Sequence, residues 1–176
     1  MRANEDEVVD ALVNRNKDII VSWESVRDQN PSEYIEKGYL DADDNVRLRT
    51  VSECCNCFGA GYKGFQGSGA KHKFEEDTDI KRLKFYPNGE WDNRLTPDGN
   101  SFTEFHINSV ENDKYAWSRL TELNQKIALF SHEKVSTAKY EAIFKGLYLV
   151  NKVESLKNKK VNYDRISQIM PTYYPK

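Results

Sequence analysis

The feature that most constrains this chain is a glycine-rich stretch between Asn56 and Lys73. Its sequence, NCFGAGYKGFQGSGAKHK, interleaves glycines with aromatic and basic residues. Neither a helix nor a regular strand tolerates this glycine density, because glycine loses more backbone freedom on ordering than any other residue. The stretch therefore predicts a loop over residues 59–73, carried by a folded domain. Proteins bind anions and bases with exposed backbone N–H groups, aromatic faces and lysines, all of which this stretch contains.

The chain is long enough to form the domain that such a loop needs. Its 176 residues suffice for one domain with a hydrophobic core, and 12% of them are aromatic. No apolar run approaches the roughly 20 residues that span a bilayer, and no signal-type apolar segment follows the first residues. The three cysteines cluster at 54, 55 and 57, which is not a disulfide framework. These features predict a cytoplasmic protein with no membrane partner.

Charge is distributed unevenly along the chain. The net charge is −2, but residues 1–50 carry about −5 and residues 126–176 about +6. A basic half on a nearly neutral chain is compatible with a local positive face that binds nucleic acid. It is equally compatible with a solvated lysine-rich surface, and the sequence leaves both interpretations open.

Hydrophobic spacing predicts an α+β fold in which helices come first and strands follow. A helical segment is predicted over residues 1–58, with helices at 4–14 and from Asp43 to about Phe58. An antiparallel β-barrel domain is predicted over 59–176. Its strands are expected near 82–86, 102–107, 127–130, 140–153 and 161–169, with a bulge or bend at Gly146.

The motifs that could carry chemistry favour binding over catalysis. Cys54, Cys55, Cys57 and His72 lack the second ligand pair of a structural zinc site. The glycine loop lacks the G-x-x-x-x-G-K-[ST] pattern of a phosphate-binding P-loop. We therefore predict no metal and no cofactor. Whether the chain is an enzyme stays open, and a non-catalytic role is favoured.

Several short motifs carry a family resemblance. They are N-x-F-G-x-x-Y-K-G from Asn56, W-x-N-x-L-x-x-D-G-x-x-x-x-E from Trp91, IALF from Ile127 and F-x-G-x-Y from Phe144. In these motifs the chain resembles bacterial and phage-borne proteins of restriction or mobile-element settings. The last motif also looks like the strands of PUA-like barrels, the group that contains SRA, EVE and ASCH modules. This resemblance implies a PUA-like barrel that binds DNA or RNA, often around a flipped or modified base, in a phage-defence setting.

We therefore predict a non-catalytic nucleic-acid-binding module, with DNA favoured over RNA as the partner. Lysines would contact phosphates, aromatic rings would stack on bases, and asparagines would bond base edges. The candidate residues are Lys63, Lys71, Lys73, Tyr62, Phe65, Asn56, Trp91 and Asn93.

Two alternatives remain open at this stage. The chain could be a phage- or mobile-element-encoded inhibitor, of the anti-restriction or anti-CRISPR type, whose partner is a host defence nuclease. It could also be a metal-dependent nuclease that uses Asp98, Glu104 and His106, since Glu104 and His106 share one face of a strand.

Overall fold

The computed structural model describes residues 30–122 and 125–176, so the helix predicted over 4–14 lies outside the described residues. The described ranges contain four α-helices and a 3₁₀ turn at Ala42–Asp44. The helices are α1 (Ser32–Lys37), α2 (Val51–Asn56), α3 (Ser109–Thr121) and α4 (Lys152–Asn158).

Ten strands occur in the described ranges. They are β1 (Tyr39–Asp41), β2 (Arg47–Leu48), β3 (Gly69–Lys71), β4 (Thr78–Leu83), β5 (Arg94–Leu95), β6 (Ser101–Glu104), β7 (Lys126–Ser136), β8 (Lys139–Val150), β9 (Val161–Ser167) and β10 (Ile169–Pro171).

Most of the strands form one mixed sheet in the order β3-β4-β7-β8-β9-β6-β5, and β2 also pairs with β8. The β4–β7 pair is parallel, from Thr78 opposite Lys126 to Leu83 opposite Ser131. The other pairs in this sheet are antiparallel. A parallel pair needs a long crossover, and here the crossover contains β5, β6 and α3.

The predicted mostly antiparallel β-barrel is correct in its strand pairing but wrong in its closure: the described strands form an open sheet, and the fold is mixed α/β with few helices. In the described ranges β3 and β5 remain as the two edges of the large sheet, while β1 and β10 form a separate two-stranded sheet. Closure requires strand tilt and stagger that bring the two edges together. A strand pattern in the sequence specifies neither of these quantities.

Hydrophobic side chains pack on both faces of the large sheet. Because successive strand residues point to opposite faces, β7 supplies Ala128 and Phe130 to one core cluster and Ile127 and Leu129 to the other. The first cluster also contains residues from 40 to 60, so the described part of the predicted helical segment shares a core with the sheet.

The helix predicted from Asp43 to Phe58 is much shorter in the structure. Val46 and Leu48 are buried, and β2 lies at Arg47–Leu48. The helix begins only at Val51, because the Thr50 side chain caps it by accepting from the Glu53 N–H.

The irregularity predicted at Gly146 is confirmed. The β7–β8 register shifts beside it, and its φ of 124° is one that L side chains rarely adopt. The bulge bends the longest hairpin of the sheet.

Candidate nucleic-acid interface

Two side chains on α2 hold the glycine loop. The Asn56 amide accepts from the Tyr62 N–H and donates to the Tyr62 C=O, each at 2.9 Å. The Ser52 hydroxyl donates to the Gly64 carbonyl. Ser52 and Asn56 are four residues apart, so they lie on the same face of the helix. The loop is therefore anchored at residues 62 and 64.

Phe65 follows directly after these anchors and is 93% exposed. Leaving a large aromatic ring in water gains nothing for folding, because burial of apolar surface is what stabilises the folded state. It lies with Gly64 and Gln66 beside a cavity of about 270 Å³, which is also lined by Arg49 and Arg82. Phe65 is thus an exposed aromatic ring next to two cations.

Two glycines of the loop are not required by the fold of the free protein. A Cβ at Gly64 or Gly67 would meet nothing within 4 Å, and neither residue has a positive φ. By contrast, a Cβ at Gly69 would lie 2.0 Å from the Ile80 carbonyl oxygen. Glycine at 69 is explained by strand packing, whereas glycine at 64 and 67 is compatible with the close approach of a ligand to the backbone.

The end of the glycine loop and the Trp91 segment form two walls of one open cavity of about 330 Å³. This volume lies within the range of about 300–1,000 Å³ that is usual for small-ligand sites. The loop contributes Gly67 and Ser68 to its lining. The remaining lining residues are Arg82, Lys84, Asn88, Glu90, Trp91 and Asn93.

Trp91 and Asn93 are held in this cavity by α3 and by the residues that follow β4 and β6. The Trp91 ring packs edge-on against Tyr115 at 5.0 Å and His106 at 4.9 Å between ring centroids. The Asn93 Oδ1 accepts from the Phe105 N–H at 3.2 Å. Its Nδ2 donates to the Lys84 carbonyl across a long 3.5 Å, which leaves this donor weakly engaged.

A buried polar network supports the Trp91 wall. The Glu104 carboxylate accepts hydrogen bonds from the hydroxyls of Tyr115 at 2.7 Å and Tyr163 at 2.5 Å, and the Lys81 ammonium lies 3.5 Å away. Burial, followed by the Glu104 charge, raises the pKa of both tyrosines, so their hydroxyls stay protonated and donate. The Tyr115 ring, against which Trp91 packs, is therefore itself held in place by the Glu104 carboxylate.

The predicted lysine contacts occupy different parts of this surface. Lys63 is exposed and lies with Tyr62 and Asn56 beside a separate cavity of about 320 Å³. The Lys73 ammonium sits 5.2 Å from the centroid of the Tyr62 ring. Lys71 is exposed on β3. The structure therefore brings Asn56, Tyr62, Lys63 and Lys73 together, and Trp91 with Asn93 forms a second group.

The residues considered for metal chemistry are dispersed. Among residues 30–122 and 125–176, no three His, Cys, Asp or Glu side chains are placed to hold a metal ion. Glu104 is buried in the tyrosine network, whereas Asp98 is exposed and bonds Thr96 and Asn100 within its turn.

The cysteine cluster is part of the hydrophobic core. All three thiols are free and buried, and burial raises the pKa of Cys55 to about 12. Such thiols are poor nucleophiles because the thiolate is the reactive form.

Sequence reasoning did not single out Arg82, which lines the two cavities on either side of the Phe65–Gly67 segment. Strand alternation was the available signal: Arg82 is two residues from the buried Ile80 and so points to the same face. The non-local packing that brings the glycine loop over that face was not encoded in any local pattern.

The mixed sheet, the anchored glycine loop and the cavity beneath it define a PUA-like binding domain. The family model described as "SRA: SET and RING associated domain" matches residues 33–172, and the chain belongs to this family. The predicted resemblance to PUA-like modules is confirmed. Membership supports DNA as the partner.

Among solved structures, the chain is similar to "The 5-Hydroxymethylcytosine-Specific Restriction Enzyme AbaSI", with a TM-score of 0.77 and 28% sequence identity. The match covers 100% of this chain and 59% of that enzyme. The chain therefore shares its fold with about three fifths of that enzyme. No curated protein matches the chain significantly. None of the helices in the described ranges is long and apolar enough to cross a membrane.

Proposed function

We propose that this protein is a non-catalytic DNA-binding module that recognises a modified cytosine in a restriction or phage-defence setting. The observation that carries the proposal is the cavity shared by the glycine loop and the Trp91 segment, in a chain of the SRA family. The similar restriction enzyme is specific for 5-hydroxymethylcytosine by its name. That base is therefore the first ligand to test.

The proposed cavity would take a base that has left the DNA stack. Trp91 supplies an aromatic ring, and the weakly engaged Nδ2 of Asn93 is a donor for an acceptor on the base edge. Because Gly67 has no Cβ, the backbone of the opposite wall can approach the nucleotide closely. Extruding a base leaves a gap in the duplex, and the exposed ring of Phe65 is suited to fill it.

The remaining predicted contacts are assigned by their positions. Lys63, Lys71 and Lys73 would bind phosphates along the exposed side of the loop, and Tyr62 would stack next to them beneath the Lys73 ammonium. Asn56 is proposed to act by fixing the Tyr62 backbone, since both polar atoms of its side chain are bonded there.

The test is fluorescence-anisotropy binding to three duplexes that differ at one position, which carries cytosine, 5-methylcytosine or 5-hydroxymethylcytosine. We expect tighter binding to a modified duplex, and affinity that falls steeply between about 50 and 200 mM salt because phosphate contacts release counterions. Equal affinity for all three duplexes would refute modified-base recognition. No binding to any duplex would refute DNA binding and favour a protein partner.

Matched tryptophan variants locate the base site. Trp91→Ala should lower affinity for the modified duplex by about tenfold or more, since a base–aromatic stack contributes roughly 1–3 kcal/mol. Trp117→Ala is the control, because Trp117 is 72% exposed on α3 and does not line the cavity. Incubation of the same duplexes with Mg²⁺ or Mn²⁺ tests the non-catalytic assignment, which cleavage by the purified protein would refute.

A further inference from the structure

A second surface on the described residues combines unpaired cations with stacked aromatic rings. It lies where β4, β7 and β8 extend beyond the first core cluster, on the face that carries Ile80, Phe130 and Phe144. We call it the basic aromatic surface. It consists of Arg82, Lys84, Tyr86, His132 and Tyr140.

Strand pairing sets the composition of this surface. Arg82 is paired with Phe130 in the parallel ladder, and His132 follows Phe130 two residues later on the same face of β7. Lys84 comes directly after the end of β4 at Leu83. His132 is in turn paired with Ala142, which places Tyr140 beside it on β8. Residues from three strands therefore meet at one end of the sheet.

The aromatic members hold one another in a fixed arrangement. The His132 and Tyr140 rings are stacked, with centroids 4.8 Å apart and an interplanar angle of 11°. The Tyr86 hydroxyl lies 2.6 Å from His132 Nδ1, and its ring centroid is 6.0 Å from that of Tyr140. When the Tyr86 hydroxyl donates to Nδ1, the neutral His132 ring carries its proton on Nε2, which is a further donor.

The two cations of this surface have no anionic partner among residues 30–122 and 125–176. Among the described residues, neither Arg82 nor Lys84 forms an ion pair, and the buried Arg82 Nε has no hydrogen-bond acceptor. The neighbouring Arg49, in contrast, is paired with Glu53 at 2.5 Å. Glu90 is the carboxylate that lines the same cavity as Arg82 and Lys84. Partial burial and then the positive charges of Arg82 and Lys84 lower the pKa of His132.

We infer that the basic aromatic surface binds the phosphodiester backbone next to the nucleotide that enters the Trp91 cavity. Arg82 and Lys84 make this link, because both belong to the surface and also line that cavity. The Arg82 guanidinium forms no ion pair among the described residues and is suited to phosphate binding, and Lys84 adds a point charge. The inference rests on the proposed DNA-binding function. It adds a contact to the phosphate backbone that does not depend on the identity of the base.

The experiment measures affinity for the cytosine and 5-hydroxymethylcytosine duplexes at several salt concentrations, for wild-type protein and for Arg82→Gln and Lys84→Ala. Each variant should bind both duplexes about tenfold more weakly. Each should also reduce the slope of log affinity against log salt by about one, as expected for one lost phosphate contact. Lys114→Ala is the control, because Lys114 is exposed on α3 and forms an exposed pair with Glu111 at 3.4 Å.

Three outcomes would overturn the inference. Unchanged affinity and salt slope in both variants would show that no phosphate binds there. A loss confined to the modified duplex would assign Arg82 to base recognition. Absence of DNA binding by the wild-type protein would remove the proposed function together with this inference, and it is visible before any variant is made. Because Lys84 is exposed, its variant keeps the test valid even if Arg82→Gln fails to fold.

Discussion

Asn56 and Tyr62 form a closed pair of hydrogen bonds in which one side-chain amide satisfies both backbone groups of the other residue, each at 2.9 Å. The contact joins the last residue of α2 to the middle of the glycine loop. A loop with so many glycines loses a large conformational entropy on ordering, and these two hydrogen bonds restrict the conformations that it can adopt. The position of Phe65 therefore depends on helix α2, which carries the side chains that anchor the loop next to it.

Asn56→Ala should loosen the loop. It leaves the Tyr62 N–H and C=O without their partner, and we expect the free energy of unfolding to fall by about 1–3 kcal/mol. Trypsin should also cleave faster after Lys63, which is already exposed. Gln66→Ala, in the same loop, is the control for both measurements. Cleavage at the wild-type rate would show that the loop is held by other contacts.

Gly69→Ala and Gly67→Ala should separate stability from binding. The new Cβ at 69 would lie 2.0 Å from the Ile80 carbonyl oxygen, so we expect a loss of about 1–3 kcal/mol or more in denaturant unfolding. At 67 the Cβ meets nothing within 4 Å, and the change should stay within about 0.5 kcal/mol. Gly67→Ala should instead weaken DNA binding. Equal stability of the two variants would contradict the packing argument.

Glu104→Gln tests the tyrosine network. The substitution removes a buried carboxylate from two tyrosine hydroxyls and leaves the Lys81 ammonium without its counter-charge. Breaking a buried pair in this way costs about 3–5 kcal/mol, which chemical unfolding measures directly. The control is Glu111→Gln, since Glu111 forms an exposed pair of 3.4 Å with Lys114. A wild-type unfolding curve for Glu104→Gln would rule out a structural role for this carboxylate.

Stability should fall as the pH drops below neutrality, and His72 should contribute to the fall. Its Nδ1 accepts from the Phe74 and Glu75 N–H groups, each at 3.0 Å, and burial lowers its pKa below the usual 6.5. Above 6.5 both the folded and unfolded forms are neutral, so the stability is fully present. As the pH falls below 6.5, His72 becomes protonated in the unfolded chain while it stays neutral in the folded protein, so the free energy of unfolding decreases.

The pH effect can be measured as the urea midpoint at several pH values between about 7.5 and 5, for wild type and for His72→Gln. The variant should be less stable than the wild type at pH 7.5, but its urea midpoint should decrease less when the pH is lowered. His132, whose pKa is also lowered, accounts for part of the remaining dependence. Identical pH profiles for the two proteins would show that His72 does not drive the change.

Local chemistry in the sequence identified the Gly146 bulge and the first part of the glycine loop, because glycine content and strand alternation act over a few residues. The loop predicted over 59–73 is wrong at its end, where Gly69–Lys71 form β3 by pairing with β4. Local chemistry did not identify α3, although Asn108 caps that helix by accepting from the Glu111 N–H. The helix buries only a narrow face, with Trp117 and Val110 exposed, so its hydrophobic period is weak.

The cavity depends on contacts that local patterns do not encode. Ser68 and Trp91 are far apart in sequence, yet both line the cavity, and Ser68 is placed there because its carbonyl accepts from the Arg82 N–H at 2.8 Å. The parallel β4–β7 pairing was not expected from the strand pattern, since alternation and length are alike in parallel and antiparallel strands. The same limit explains why Arg82 was missed although Trp91 and Asn93 were singled out.

Strand β4 has a consequence for how recognition could be exchanged between proteins of this family. Gly67 and Ser68 precede it, Arg82 lies within it, and Trp91 follows it. The two walls of the cavity and the cation between them thus belong to one unbroken piece of chain, residues 59–93. We expect that a related domain would acquire the ligand preference of this protein if residues 59–93 were grafted into it as one segment. The recipient would need residues equivalent to Ser52 and Asn56, which anchor the loop.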